Sequence, residues 1–286
     1  MVSGTKPKQS TKSNSRVKPK KFSKLRSGKA INLNPAKQTT VIKTKTKFKK
    51  TTQEKIQKIL AHAGVASRRQ IEEYLQQGRI KVNGKTAKLG DRATVNDKFS
   101  LNNRPVRLRE FTAKMLIYNK PEGIICTRSD PKRRRNVFQD LPRLSSGRWV
   151  MIGRLDINTQ GLLIFTNDGK IANQYMHPRY EIEREYAVRI LGKVDNNMLD
   201  KLKKGVKLKE GLMRFDKIVA KPATDAANRW FQVIIKEGKF REVRRLWESQ
   251  GVKVSRLIRV RFGDIELPRD LPRGRWREIE IPQSFA

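Results

Sequence analysis

The first acidic residue of this 286-residue chain is Glu54. Ahead of it stand 16 Lys and Arg with no carboxylate to offset them, and a segment that repels itself so strongly cannot collapse around a core of its own. Folding is therefore confined to the remainder, where 50 basic residues still face 27 acids. Residues 1–52 are expected to form a disordered basic tail, either a sequence-indifferent tether to a polyanion or a solubilising arm. A formal net charge of +39 implies a polyanionic partner bound with counterion release, and nucleic acid is the leading class.

Several chemistries are excluded early. One cysteine, Cys126, permits no internal disulfide framework, and two histidines give no zinc-binding constellation, so neither metal nor cofactor is expected. No apolar run approaches the roughly 20 residues of a membrane span, and the tail lacks the apolar centre of a signal peptide. It is Lys-rich and not Arg-rich, unlike an organellar transit peptide. A cytoplasmic protein, working as a monomer away from membranes, is the expectation.

Order begins near Thr51. Thr51-Thr52-Gln53-Glu54 has capping-box spacing, and Ile56, Ile59, Leu60 and Ala63 follow at helical intervals. A second capping box, Ser67 to Gln70, opens a helix with Ile71, Tyr74 and Leu75 facing inward and Gly78 closing it. The strand Ile80-Lys81-Val82 then turns at Asn83-Gly84, a strong hairpin signal. Arg68 and Arg69 occupy the first turn of the second helix, where the macrodipole disfavours cations by about 0.3 to 1 kcal/mol each. Either a phosphate converges on them or they form an ordinary exposed helix end.

The run Lys58 to Arg69, followed by Gly78-Arg79-Ile80-Lys81-Val82-Asn83-Gly84-Lys85, resembles an S4 RNA-binding domain over residues 53–100. The resemblance implies that Arg68, Arg69 and Lys85 face structured RNA. S4 modules serve ribosomal proteins, synthetases and modifying enzymes, so this half does not decide an activity.

Residues 101–112, with Asn102, Asn103 and Pro105, read as a linker. The region 113–286 is strand-heavy, with strands expected at 115–118, 149–153, 162–166, 186–191, 230–236, 254–260 and 277–281. Helices are expected at 169–176, 195–204 and 239–250. Without regular βαβ alternation, the fold class is α+β, a mixed and largely antiparallel sheet flanked by helices.

Asp156 lies in a polar connection between two hydrophobic strands. Catalytic groups collect in such loops, although an aspartate in a turn more often bonds its own backbone. A resemblance changes the weighting. Gly153-Arg154-Leu155-Asp156, then Thr159 and Gly161-Leu162-Leu163, is similar to the signature of the bacterial ribosomal pseudouridine synthases. Lys120-Pro121-Glu122-Gly123, Met176-His177-Pro178, Glu185-Tyr186-Ala187-Val188 and Glu237 to Trp247 follow the same family's order. The segments 241–248 and 254–265 look most like the branch acting on large-subunit rRNA, which names 23S rRNA or a large-subunit precursor as partner.

That family cuts uracil from ribose at N1 and rejoins it through C5. The reaction calls for a carboxylate beside C1′, a stacking surface for a flipped base and a water-poor pocket. The resemblance implies that Asp156 is the catalytic carboxylate, either attacking C1′ or taking the 2′ proton. It makes Tyr186 the stacking ring, Arg244 the ion-pair partner that aims Asp156, and Leu257 an apolar wall of the uracil pocket. From pattern alone Tyr186 would be a half-buried core tyrosine beside Val188 and Ile190, and Leu257 a plain strand residue. Arg154 and the run Lys132 to Arg135 are candidates to track the RNA backbone, as are Arg241 and Arg245, although charge runs are often only solvated. Relatives often carry Lys where this chain has Arg184, which keeps the charge but not a deprotonatable amine.

In the helix expected at 239–250, Phe240, Val243, Leu246 and Trp247 fall on one side and Arg241, Arg244 and Arg245 on another. A non-catalytic RNA-binding assembly protein that kept the fold explains the charge equally well. It gives no reason for Asp156, Tyr186 and Arg244 to occur together. A DNA-binding reading lacks a recognisable reading helix.

Overall fold

The computed structural model describes residues 52–109, 111–209, 211–222 and 228–283. All but the last residue of the expected tail lies outside them. The first region carries β1 (Glu54–Lys55), α1 (Ile56–His62), α2 (Arg68–Gln76), β2 (Ile80–Val82), β3 (Lys85–Thr86), β4 (Arg92–Ala93), β5 (Phe99–Leu101) and β6 (Arg104–Val106). Strands β3-β2-β5-β6 form one antiparallel sheet, and β1 pairs with β4. Ile56, Ile59, Leu60, Ile71, Leu75, Ile80 and Phe99 close its core.

Two expectations change here. The helix expected from the Thr51 to Glu54 capping box starts later: Glu54 and Lys55 pair as a strand with Ala93 and Arg92, and α1 starts from Lys55 without a side-chain cap, while Thr51 lies outside the described residues. The stretch 101–112 is not all linker, because Leu101 pairs with Arg104 and Phe99 with Val106 across a hairpin. Asn102 and Asn103 turn it with φ of 52° and 62°, a conformation asparagine tolerates. The capping box of α2 is present, with Ser67 accepting from the Gln70 N–H and Gln70 answering the Ser67 N–H.

The second region carries β7 (Met115–Lys120), β8 (Val150–Ile152), β9 (Gln160–Thr166), β10 (Arg184–Leu191), β11 (Val206–Leu208), β12 (Gly211–Met213), β13 (Lys217–Ala220), β14 (Asn228–Ile235), β15 (Lys253–Phe262), β16 (Ile265–Glu266) and β17 (Trp276–Ile279), all but β11 and β12 in one large sheet. Its order is β13-β14-β10-β15-β9-β7-β17, with β8 added to β9 and β16 to β15, while β11 and β12 form a separate hairpin. Every pairing in the large sheet is antiparallel except one. Strands β9 and β15 run parallel through just Gln160↔Ile258 and Gly161↔Arg259.

Helices cover both faces, which is why β9 is buried along its whole length. Alternation along β7 and β9 sends Leu116, Tyr118, Leu163 and Phe165 into one core. Met115, Ile117, Leu162 and Ile164 enter the other. Leu202 of α4 (Asn196–Lys204) and Val243, Leu246 and Trp247 of α5 (Glu242–Glu248) pack into the first core. Ile171, Ala172 and Tyr175 of α3 (Gly169–Met176) pack into the second.

The two regions meet at glycines. A Cβ on Gly64 would lie 2.7 Å from the carbonyl oxygen of Gly147, and the His62 and Phe111 rings stand 3.7 Å apart between centroids. No described helix is long and apolar enough to cross a membrane.

Candidate active site

Asp156 follows β8, in the loop that leads into β9. Gly153, at φ 71°, turns the chain there, and a Cβ on it would meet the Phe262 ring at 3.6 Å and Arg259 Nη1 at 3.7 Å. Beyond the aspartate, three consecutive carbonyls are captured by cations. Lys120 Nζ donates to Ile157 O (3.2 Å), to Thr159 O (2.9 Å) and to Pro121 O (3.0 Å). Arg244 Nη2 donates to Asn158 O (2.8 Å). The Thr159 N–H closes a turn onto Asp156 O at 3.0 Å. The loop is thus fixed from behind by charge-assisted hydrogen bonds, the strong class, and Asp156 is left half-buried on the open side.

That side is a cavity of about 700 Å³ whose walls include Asp156, Tyr186, Leu257, Arg184 and Arg259. The volume suits a small ligand or a single nucleotide. Tyr186 on β10 faces it, 7% exposed, in register with Val233 on β14 and Arg259 on β15. Leu257 is two residues from Arg259 and shares its strand face. Five of the described wall residues are cations (Arg154, Arg184, Lys239, Arg241 and Arg259), against the carboxylates Asp156 and Glu242. The surplus fits a site for a phosphate-bearing substrate. Burial raises the Glu242 carboxyl above its ordinary value, while the Lys239 N–H donated to Oε2 at 3.0 Å works against that shift.

Of the residues singled out in the sequence, Asp156, Tyr186, Leu257, Arg154 and Arg241 line this cavity. Arg244 is placed differently from expectation. It forms no direct ion pair with Asp156, because Nη2 is committed to Asn158 O and Nη1 to Val254 O at 3.1 Å. Burial lowers its pKa, Arg241 adds to the lowering, and the charge of Asp156 opposes it. Arg244 therefore acts on Asp156 through the loop backbone and through space. It does not belong to an exposed guanidinium face either, being 7% exposed.

The helix begins late. Arg241 takes a left-handed conformation (φ 50°, ψ 30°), so α5 starts at Glu242. Phe240 is consequently 70% exposed at the cavity, not packed with Val243 and Leu246. Arg241 is ion-paired to Glu248 at 3.3 Å, and Arg245, away from the cavity, donates to Phe240 O at 3.5 Å. Arg68, Arg69 and Lys85 lie exposed in the first region and outside the cavity. In the run Lys132 to Arg135, Arg134 is paired with Asp130 and Arg135 with Asp140, each at 2.7 Å, so that run is partly neutralised.

Sequence reasoning missed Arg259. It is 1% exposed, donates from Nε to Leu162 O at 2.8 Å and lies over the Phe262 ring. The only signal was its place two residues after Leu257, and arginine in so basic a chain reads as surface. Arg184 brackets the same ring and gives Nη1 to the carbonyls of Lys236 and Glu237, both at 2.5 Å. Burial lowers its pKa as well. Among the described residues no cluster of three His, Cys, Asp or Glu could hold a metal ion.

A carboxylate, a phenol ring and an apolar wall around one nucleotide-sized, cation-lined cavity are what a base-modifying enzyme requires. The chain belongs to the pseudouridine synthases: the model described as RNA pseudouridylate synthase matches residues 114–249, and the S4 domain model matches residues 54–99. Among similar proteins, ribosomal large subunit pseudouridine synthase B of Yersinia pestis is 51% identical over 233 residues, covering 80% of this chain and 73% of that protein. The protein of the same name from Escherichia coli strain K12 is 50% identical over 236 residues, 81% of each. A crystal structure of pseudouridylate synthase superposes with a TM-score of 0.55 at 25% identity, covering 79% of this chain and 96% of that one.

Proposed function

We propose that this chain isomerises a uridine of large-subunit (23S) ribosomal RNA to pseudouridine, with Asp156, Tyr186 and Arg244 as the working triad. The observation that carries the reading is the immobilised loop, which presents Asp156 to a cavity shared with Tyr186 and Leu257. A flipped uridine stacks on Tyr186 and is walled by Leu257, while Asp156 stands at the ribose to serve the break of the N1–C1′ bond. Uracil leaves with the bonding pair on N1, turns within the cavity and bonds to C1′ through C5; the C5 proton then goes to a base and N1 takes one up, so the isomerisation is proton-neutral. Arg154 and Arg241 at the wall suit the flanking phosphates, and Arg68, Arg69 and Lys85 suit RNA held by the S4 region. We read the chain as acting as a monomer, in the cytoplasm where ribosomal RNA is assembled.

The test is Asp156→Asn assayed on rRNA from a strain lacking this gene. Pseudouridine at the target should vanish while RNA binding survives. Modification persisting with the variant would refute the assignment.

A further inference from the structure

Flipping a base leaves a gap in the stack it came from, and something must cover the exposed neighbour or the flip is disfavoured. Tyr186 cannot do this, since it is 7% exposed and lies inside the cavity. Phe240 can. Its ring is 70% exposed, more than that of any other aromatic among the described residues, yet it belongs to the cavity wall. Its backbone is fixed on both sides. The Lys239 N–H donates to Glu242 Oε2 at 3.0 Å, the Glu242 N–H returns to Lys239 O at 3.2 Å, and Phe240 O accepts from Arg245. The next residue, Arg241, sits in the left-handed region that non-glycine residues seldom occupy, and this bend keeps Phe240 out of the first turn of α5. An apolar ring is therefore held in water at the rim of the cavity, between Lys239 and Arg241. An aromatic flanked by cations is the arrangement that accepts an unstacked base with its phosphates.

We propose that Phe240 stacks on the nucleobase adjacent to the flipped uridine, filling the gap the flip leaves and so favouring the extruded state. The proposal rests on the cavity being the uridine pocket. The contact is with a π-face, so it is indifferent to the identity of the neighbouring base but requires that a base be present.

The experiment uses the full chain and a stem-loop RNA containing the target uridine, in three forms: intact, abasic on the 5′ side, and abasic on the 3′ side. Phe240→Ala should lower kcat/KM on the intact RNA by roughly 5- to 100-fold, the range seen when a base-stacking aromatic is truncated. Phe240→Trp should retain activity and Phe240→Leu should not. On one of the two abasic RNAs the wild type should fall to the level of Phe240→Ala, and the difference between them should vanish. Equal activity of Phe240→Ala and wild type, rescue by Leu as complete as by Trp, or an undiminished defect on both abasic RNAs would each overturn the proposal. Absence of pseudouridine with the wild type on intact RNA would overturn the pocket reading itself, a separate outcome.

Discussion

Replacing Lys120 by methionine should release the loop that carries Asp156. The lysine is wholly buried, and its ammonium gives one hydrogen bond each to Pro121 O, Ile157 O and Thr159 O. Methionine keeps the length and packing of the stem but removes all three donors. Hydrogen bonds to a charged group are worth about 1.5 to 3 kcal/mol each in net terms, and the stranded carbonyls add a cost of their own. Against this stands the relief of no longer burying a cation, the main cause of the depressed Lys120 pKa. The balance is a loss of about 3 to 5 kcal/mol. For a folded body of this size each kcal/mol lowers Tm by about 2 to 4 °C, so the melt should fall by roughly 6 to 20 °C. Single-turnover conversion of a stem-loop RNA, measured well below the new Tm, should slow by about 100-fold, since a displacement of about 1 Å in a catalytic group is enough. A variant that melts with the wild type would show that the three hydrogen bonds hold nothing. One that melts early but turns over normally would show that they do not position Asp156.

Gly161→Ala should be more damaging still. At φ 101° a Cβ would lie 2.3 Å from Arg259 O and 2.9 Å from Arg259 N, so strain and backbone collision together should cost about 3 kcal/mol or more; a Tm within 2 °C of wild type would contradict this. His62 is held below its ordinary value of 6.5, chiefly by burial, with Asp168 and Glu54 opposing. Just below pH 6.5 the unfolded chain binds a proton that the folded chain does not, so stability should rise with pH there, by at most about 1.4 kcal/mol per unit. Denaturant melts of His62→Phe should lack that rise, and a slope equal to that of wild type would exclude His62 as its source.

What the sequence disclosed and what it concealed divide along physical lines. Asp156, Tyr186 and Leu257 were singled out by the family signature and not by the strand pattern, which reads them as a turn aspartate, a core tyrosine and a plain strand residue; the sheet brings all three to one cavity. The helix α3 was read to the residue, since Asp168 caps it and Ile171, Ala172 and Tyr175 follow at helical spacing. Phe240 was misplaced because helical periodicity takes for granted that the helix has already begun. A single left-handed residue at Arg241 postpones its start. Lys120 and Arg259 were invisible as interior groups because burial of a cation depends on carbonyls supplied 37 to 97 residues away. Arg244 was credited with the wrong partner for the same reason: no local pattern reveals that the backbone of Asn158 and Val254 would claim its donors first.

The parallel contact between β9 and β15 is only two residue pairs long, and it joins two otherwise antiparallel half-sheets. Asp156 rides on one half, and Tyr186, Leu257 and Arg244 ride on the other. A slip of one residue along this short weld would carry the aspartate about 3.3 Å from its place opposite the tyrosine, and it would also misalign the two cores, each of which draws side chains from both halves. The enzyme's fidelity is thus a matter of alignment, guarded by a glycine that lets two backbones touch. Chemistry and stability are tied at the same seam: whatever moves the aspartate out of line also loosens the cores that cross it.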